Sequence, residues 1–388
     1  MLAGMGTTVN RRRRPLRRRL LRAGLTLGVL GALGVVIAAV RDLPAAVGAR
    51  PSGARAERVR RSPQYRDGAF HNKAQTSTLP SGGAGMRALR EYFAGRDKLE
   101  PAGPIPLVDS GAGGADSGPT GLHVTWYGHA STLVEIDGAR VLIDPVWADR
   151  VSPSPLVGPR RLHRPPVALE ALPELDAILI SHDHYDHLDL PTVRTLLRTQ
   201  QAPFVVPLGV GAHLERWQVP AERIVELDWS EQVELAGITL TSTAAQHFSG
   251  RLFARDGTLW SSWVLAGPLH KVFYTGDSGY FDGYAAIGNQ YGPFDLTLVQ
   301  VGAYSEAWPQ IHMTPEEGVA AHLDLRGGLL VPVHWATFTL AMHAWTEPAD
   351  RLWAEAKAHD VTLAVPRPGE RINVATPPSV DGWWQALG

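Results

Sequence analysis

The chain has 388 residues, 44% of them hydrophobic, and no cysteine. This length allows one large domain or two smaller ones, and the lack of cysteine excludes disulfides, thiolate nucleophiles and cysteine-ligated zinc. The formal net charge of -1 hides an uneven distribution, because residues 1–41 carry nine arginines and no acidic residue. The remainder holds 28 basic against 38 acidic side chains, and this acidic balance argues against nucleic acid as a partner.

Residues 1–49 have the composition of an export signal or a membrane anchor. An arginine-rich segment precedes residues 23–40, which are 18 residues without a charge and include four glycines. This length is at the lower edge for a spanning helix, and the small residues at 44–49 suit a signal peptidase, so a cleaved signal and a retained anchor both stay open. The run at 17–22 resembles a twin-arginine signal, and the alternative is an arginine-rich flank that sets membrane orientation. Either interpretation predicts an extracytoplasmic body, membrane-anchored or exported.

Composition divides the remainder into two parts. Residues 50–121 are rich in Gly, Pro, Ser and Ala, which predicts an irregular arm and linker with one short helix near 86–93. Residues 122–388 form the predicted folded domain, because apolar runs alternate there with helical patterns. Strands are predicted at 122–128, 132–137, 140–144, 177–180, 204–206, 237–241, 262–266, 271–275, 296–299 and 329–333, and helices at 191–199, 210–217, 315–325 and 348–359. The early hairpins favour two antiparallel-rich sheets covered by helices.

The segment 181–189, SHDHYDHLD, is the densest group of side chains that can bind a metal. Three histidines and three aspartates lie within its last eight positions. The adjacent residues Asp186 and His187 would point to opposite faces of a strand, so the run is predicted to be a loop. His182 and His184 can converge on one ion, while Asp186 and His187 turn toward a second. Imidazole and carboxylate together suit zinc, with iron or manganese as alternatives.

Three further candidates each follow an apolar, strand-like run: His247, Asp277 and His334. Ligand sites in α/β proteins tend to lie at the carboxyl ends of strands. Each of these residues alone is more often structural, but their joint occurrence with the loop predicts one shared metal site. Asp183 and Asp189 are left out of the ligand set, and Asp189 is better placed near the start of the next helix.

The spacing of the loop matches the signature HxHxDH, and at these residues the chain resembles the metallo-β-lactamase superfamily. The resemblance implies an αββα sandwich with a two-metal site between the sheets. It also implies a distribution of ligands: His182, His184 and His247 on the first metal, Asp186, His187 and His334 on the second, and Asp277 as the bridge.

Charge and flanking segments narrow the expected chemistry. Two divalent cations with two aspartates and a bridging hydroxide leave a site of about +1, which attracts an anion, and two metals can lower the pKa of shared water enough to give a nucleophile. The segments 62–72, 125–131, 152–161, 245–251 and 333–338 resemble N-acylphosphatidylethanolamine-hydrolysing phospholipase D and its bacterial relatives. That resemblance implies two zinc ions and cleavage of a phosphodiester, giving phosphatidate and an N-acylethanolamine.

Alternatives to this function stay open. A lactonase or another ester hydrolase of the same fold would use the same parts, and a non-catalytic, membrane-anchored metal-binding protein would need no substrate. The expected partners are a phospholipid or another anionic small molecule and, through the N-terminal segment, a membrane. A homo-oligomer is neither predicted nor excluded.

Several residues are candidates for contact with the substrate. His312 just precedes a predicted capping box from Thr314 to Glu317, where unpaired N–H groups favour an anion, so it could bind phosphate or protonate a leaving group. The alternative is a histidine that only supports a ligand. The other candidates for substrate binding are His129, Tyr185, Arg160 and Arg161. Each has a plain alternative: a backbone contact for the histidine, packing for the tyrosine and simple solvation for the arginines.

Overall fold

The computed structural model describes residues 42–77, 98–109, 120–252 and 254–388. Most of the expected export segment and the helix expected near 86–93 lie outside the described residues. Within these ranges, no helix combines the length and the apolar character needed to cross a bilayer. Residues Ala45–Gly388 form one compact unit.

Two seven-stranded sheets form the centre of this unit. The strands of the first sheet, in spatial order, are β18 (Arg371–Asn373), β3 (Leu122–Gly128), β4 (Ser131–Ile136), β5 (Ala139–Ile143), β6 (Ala177–Leu179), β7 (Phe204–Pro207) and β8 (Ile224–Leu227). Those of the second are β17 (Thr362–Leu363), β16 (Gly327–Val333), β15 (Phe294–Gln300), β14 (Lys271–Tyr274), β13 (Ser262–Ala266), β10 (Ile238–Thr243) and β9 (Gln232–Leu235). Two small hairpins pair β1 (Tyr65–Arg66) with β2 (Ala69–Phe70) and β11 (Gly250–Arg251) with β12 (Ala254–Arg255).

Helices cover the sheets. They are α1 (Gly53–Arg61), α2 (Leu190–Thr199), α3 (Gly211–Arg216), α4 (Gly283–Tyr291), α5 (Pro315–Asp324) and α6 (Glu347–Ala358), with short 3-10 turns at Leu169–Ala171, Ala221–Arg223 and Gln385–Leu387. Asp189 is the N-cap of α2 and accepts a hydrogen bond from the backbone N–H of Thr192. Thr314 and Glu317 form the predicted capping box of α5. Both helix starts are therefore where the sequence predicted them.

Alternating side chains of the first sheet enter two different cores. Val141 and Ile143 of β5 pack toward the second sheet, whereas Leu142 between them packs with α2 and α3. The same alternation occurs in β6, where Ile178 packs under the helices. Because both faces of the strand are covered, its residues are almost all apolar. The result is the expected αββα sandwich.

The sheets contain more parallel pairing than the sequence suggested. In each sheet, three neighbouring pairs are antiparallel and three are parallel. The parallel pairs occur where a helix returns the chain to the same end, as α2 does between β6 and β7. The prediction of antiparallel-rich sheets was right for the hairpins β3 to β5. It was wrong for the strands β5 to β8 and β14 to β17, which pair in parallel.

Candidate metal centre

The predicted ligand loops meet at one edge of the sandwich. They follow the carboxyl ends of β6, β10, β14 and β16, and the pairing of β10 with β13 and of β13 with β14 brings the ends of β10 and β14 to the same side. Hydrogen bonds join the two sheets at this edge: Ser261 N–H donates to the carbonyl of Ser181 at 2.9 Å, and His334 N–H donates to the carbonyl of His129 at 2.8 Å. The fold therefore assembles residues that are far apart in the chain.

Asp277 lies at the centre of the cluster. Its Oδ2 atom is 3.1 Å from Nε2 of His187 and 3.1 Å from Nε2 of His334. The same atom is 3.9 Å from Nε2 of His182 and 3.9 Å from Nε2 of His247. One carboxylate oxygen thus faces both of the ligand groups that the sequence suggested, as a bridging ligand must.

The first group consists of three imidazoles. Nδ1 of His184 is 2.8 Å from Nε2 of His182 and 3.3 Å from Nε2 of His247. One ligand atom from each of these residues lies within 4.8 Å of the other two. Three nitrogens at this separation can bind one cation.

The second group combines imidazoles and a carboxylate. Oδ2 of Asp186 is 3.3 Å from Nε2 of His334 and 3.5 Å from Nε2 of His187. His129 joins the same group, because its Nε2 is 2.9 Å from this oxygen. His129 is 1% exposed, and its contact with Asp186 can orient that carboxylate, while its expected role in substrate binding stays a prediction.

The electrostatics of the second group favour a cation. Burial raises the pKa of Asp186 and of Asp277, but His187 together with the other neighbouring imidazoles outweighs this effect and holds both values well below normal. Burial lowers the pKa of His334, yet the carboxylates of Asp277 and Asp186 together raise it to about 9. The two carboxylates therefore favour positive charge beside them, whether it comes from protonated imidazoles or from a bound cation.

Asp144 holds His187 in place. Its Oδ2 is 2.7 Å from Nδ1 of His187, and the same carboxylate accepts hydrogen bonds from Ser181 N–H at 2.7 Å and from the Tyr274 hydroxyl at 2.5 Å. A carboxylate on one ring nitrogen fixes the ring and makes the other nitrogen a better ligand. Sequence reasoning missed Asp144, although it follows β5 directly, just as the predicted ligands follow their strands.

The N-terminal arm holds His247. The side chain of Asn72 donates to the carbonyl of His247 at 2.7 Å and accepts from its N–H at 3.0 Å. The indole N–H of Trp260 donates to the same Asn72 oxygen at 2.9 Å, and Nδ1 of His247 lies 2.9 Å from the carbonyl oxygen of Ile311. Residues expected to be irregular thus form α1 and the β1–β2 hairpin and reach the centre.

His312 connects the cluster to a cavity. One of its ring nitrogens lies within 4.8 Å of ligand atoms of His247 and Asp277. The ring also lines a cavity of about 610 Å³ with Tyr304 and Met342 among its other walls. Burial lowers the pKa of His312 to about 4, so the ring is neutral near pH 7 and offers an N–H donor rather than an acidic proton.

The remaining substrate candidates make other contacts within the chain. Arg161 is buried, and its guanidinium donates to the carbonyls of Val146 and His163, while its expected contact with a headgroup stays a prediction. Arg160 is exposed and lies 3.8 Å from Asp149. Tyr185 has Arg251 stacked 4.0 Å from its ring centre, which fits the packing alternative.

The residues present fit a pair of divalent ions. The donors are imidazole nitrogens and carboxylate oxygens, a set that suits zinc, iron or manganese. Nε2 of His187 and Oδ1 of Asp277 are buried and have no hydrogen-bond partner among the described residues. Buried polar atoms are normally satisfied, so these two atoms point to a ligand outside the chain.

An αββα sandwich with histidines and aspartates clustered at one edge defines a metal-dependent hydrolase of the metallo-β-lactamase fold. A sequence model of the beta-lactamase superfamily domain matches residues 139–335. The chain therefore belongs to the beta-lactamase superfamily.

Relatives extend over different shares of the chain. An uncharacterized protein of Mycobacterium tuberculosis is 49% identical over 95% of this chain and 99% of its own length. The N-acyl-phosphatidylethanolamine-hydrolyzing phospholipase D 1 of Caenorhabditis elegans is 37% identical over 60% of this chain and 69% of its own length. Among solved structures, the metallo hydrolase Igni18 of Ignicoccus hospitalis has a TM-score of 0.51 at 21% identity, covering 65% of this chain and 97% of its own. The sequence relatives bear out the resemblance, and the structural one shows the shared fold.

Proposed function

We propose that the chain hydrolyses a phosphodiester, with N-acylphosphatidylethanolamine or a related phospholipid as substrate. Water adds to phosphorus, the bond to the ethanolamine oxygen breaks, and that oxygen takes up a proton, which gives phosphatidate and an N-acylethanolamine. The observation that carries the proposal is the position of Asp277, whose Oδ2 faces the Nε2 atoms of His187 and His334 at 3.1 Å and those of His182 and His247 at 3.9 Å.

Two zinc ions are the proposed cofactors, with manganese or iron as alternatives. His182, His184 and His247 would hold the first, Asp186, His187 and His334 the second, and Asp277 both. When bound, such a pair lowers the pKa of shared water and neutralises charge on the attacked phosphoryl group. Asp144 and His129 would keep His187 and Asp186 oriented throughout the reaction.

His312 is the proposed contact between the chain and the phosphoryl group. It stands between the ligand atoms and the cavity, and its neutral ring can donate a hydrogen bond to a phosphoryl oxygen. A preorganised donor of this kind stabilises charge that grows in the transition state. The pKa of about 4 favours this role over protonation of the leaving group.

The preference for a phospholipid over a lactone rests on two points. The site carries net positive charge once two ions are present, so it favours an anionic group. The relative from Caenorhabditis elegans bears the name of a phospholipase D that hydrolyses N-acyl-phosphatidylethanolamine. A lactone is neutral and gains less from this charge.

The proposed location is extracytoplasmic, with residues 1–49 as an exported signal or an anchor. A segment of 97 residues aligns at 42% identity with the outer membrane protein RomA of Klebsiella pneumoniae. This similarity is consistent with the proposed location. Fractionation of cells and N-terminal sequencing of the mature protein test this location. A protein found only in the cytoplasm with its N-terminus intact would overturn it.

A metal analysis joined to a substrate panel tests the proposed function. The full chain is loaded with zinc and assayed on N-acylphosphatidylethanolamine vesicles, on a lactone and on simple esters. The proposal expects release of N-acylethanolamine, lost on His187→Ala and kept on His359→Ala, which changes an exposed histidine. Opening of the lactone without release from vesicles would favour the lactonase, and loss of metal without loss of any hydrolysis would favour the non-catalytic metal-binding protein.

A further inference from the structure

One surface loop presents apolar side chains to solvent. Residues 155–158, Pro-Leu-Val-Gly, are all exposed, and 45% of Leu156 and 62% of Val157 is accessible. The loop begins and ends at a backbone pairing of Arg150 with Arg160. A contiguous exposed apolar patch with a polar rim is a feature of interaction surfaces.

The base of this loop is cationic. Arg150 and Arg160 lie on either side of it and Arg164 follows, against one exposed carboxylate, that of Asp149. The side chain of Arg160 is 69% exposed and lies 3.8 Å from Asp149. An apolar tip between arginines matches the layers of an anionic bilayer surface, where guanidinium groups bind headgroups and apolar side chains enter the acyl region.

Packing contacts connect this loop to the metal centre. Val151 at its base packs with Phe338, and Arg161 just after it pairs with the backbone of Phe338. The ring of Phe338 lies 5.2 Å from the ring of His129, centre to centre. A surface bound by the loop would therefore lie close to the ligand loops.

A second exposed apolar residue is connected to this loop through Arg251 and Tyr185. Leu252, 51% exposed, is at the turn of the β11–β12 hairpin, next to Arg251. Arg251 stacks on Tyr185, and Tyr185 packs against the cluster that contains Val151. The hairpin and the loop thus flank Tyr185.

We propose that the segment 150–160, here called the docking loop, inserts Leu156 and Val157 into an anionic phospholipid surface. Leu252 supports the same contact from the hairpin. The proposal rests on the proposed function only for its purpose, which is to bring a lipid substrate to the centre. Binding itself is measurable without any turnover.

The absence of cysteine allows a site-specific test on the full chain. An environment-sensitive dye is attached to Val157→Cys, or to the control Leu269→Cys, whose residue is 81% exposed in the turn between β13 and β14, at the opposite edge from the centre. Vesicles of phosphatidylglycerol and phosphatidylcholine should blue-shift the dye at 157 and raise its emission several-fold, and leave the dye at 269 unchanged. An unchanged dye at 157 on vesicle-bound protein would overturn the proposal. So would a shift at 157 without vesicles that grows with protein concentration, because it would indicate self-association.

A second arm separates docking from catalysis. The double variant Leu156→Ser, Val157→Ser should lose at least tenfold in rate on vesicles and keep its rate on a soluble short-chain phosphodiester, and Leu269→Ser should keep both. Equal losses on both substrates would contradict the docking role. A dye shift at 157 without any phospholipid hydrolysis would uphold the docking loop and reject the proposed substrate.

Discussion

At the scale of single residues, the centre depends on side chains that hold the ligands as much as on the ligands. Asp144 fixes His187 and His129 fixes Asp186. His129, Asp144 and His334 also have positive φ angles, of 52°, 39° and 66°. A left-handed conformation in a residue other than glycine costs about 1–3 kcal/mol and persists where the surroundings enforce it. The sandwich edge therefore enforces the geometry of the site.

Asp144→Asn should weaken metal binding. The variant loses the charge that orients His187 and strengthens its Nε2 as a ligand, and changes of this kind typically cost about 10–100-fold in metal affinity. Competition with a fluorescent zinc chelator measures the effect. The control is Asp137→Asn. Asp137 lies in the β4–β5 turn, and its carboxylate is bound to His270. Equal affinities in the two variants would refute the role of Asp144.

His312→Ala should lower kcat and leave the metal content unchanged. Loss of one donor to developing charge costs about 10²–10³ in kcat, and His312 is not one of the seven proposed ligands. Turnover and metal content are measured on the same samples, with His359→Ala as control. A variant that loses a metal ion would instead make His312 a ligand.

At the scale of elements, the sequence predicted best where a buried strand leads into a polar loop. The runs before His182, Asp277 and His334 are apolar because both strand faces are covered. This apolar pattern made the strands recognisable in the sequence. α4 was missed because it contains two glycines and little amphipathic pattern. α1 was missed because it has a single buried residue, Val59, and therefore little apolar pattern. Such elements are stabilised by tertiary packing, which composition does not reveal.

Asn72→Ala tests the link between the arm and the centre. It leaves the buried N–H and carbonyl of His247 without partners, which should lower the free energy of unfolding by about 1–3 kcal/mol, and it should weaken metal binding as well. Urea denaturation and chelator competition measure the two effects. Asn289→Ala on the exposed face of α4 is the matched control. If both variants behave like the wild type, the arm does not support the centre.

At the scale of the whole molecule, the ligand set could be proposed from the sequence, but its arrangement could not. HxHxDH fixes four ligands because they are close in the chain, whereas the position of Asp277 within 3.9 Å of four histidines depends on how two sheets meet. Arg161 shows the converse: its position in the sequence suggested an exposed contact, and the fold buries it. Burial of a loop residue is set by distant chain segments and leaves no local pattern.

The most direct test of the central claim is the number of divalent ions per chain in the wild type and in Asp277→Asn, measured with hydrolysis on the same samples. The account predicts two ions and active enzyme in the wild type. The variant should retain fewer ions and lose hydrolysis, because the carboxylate shared by both groups is gone. A single ion in both proteins, with hydrolysis unchanged, would contradict the account.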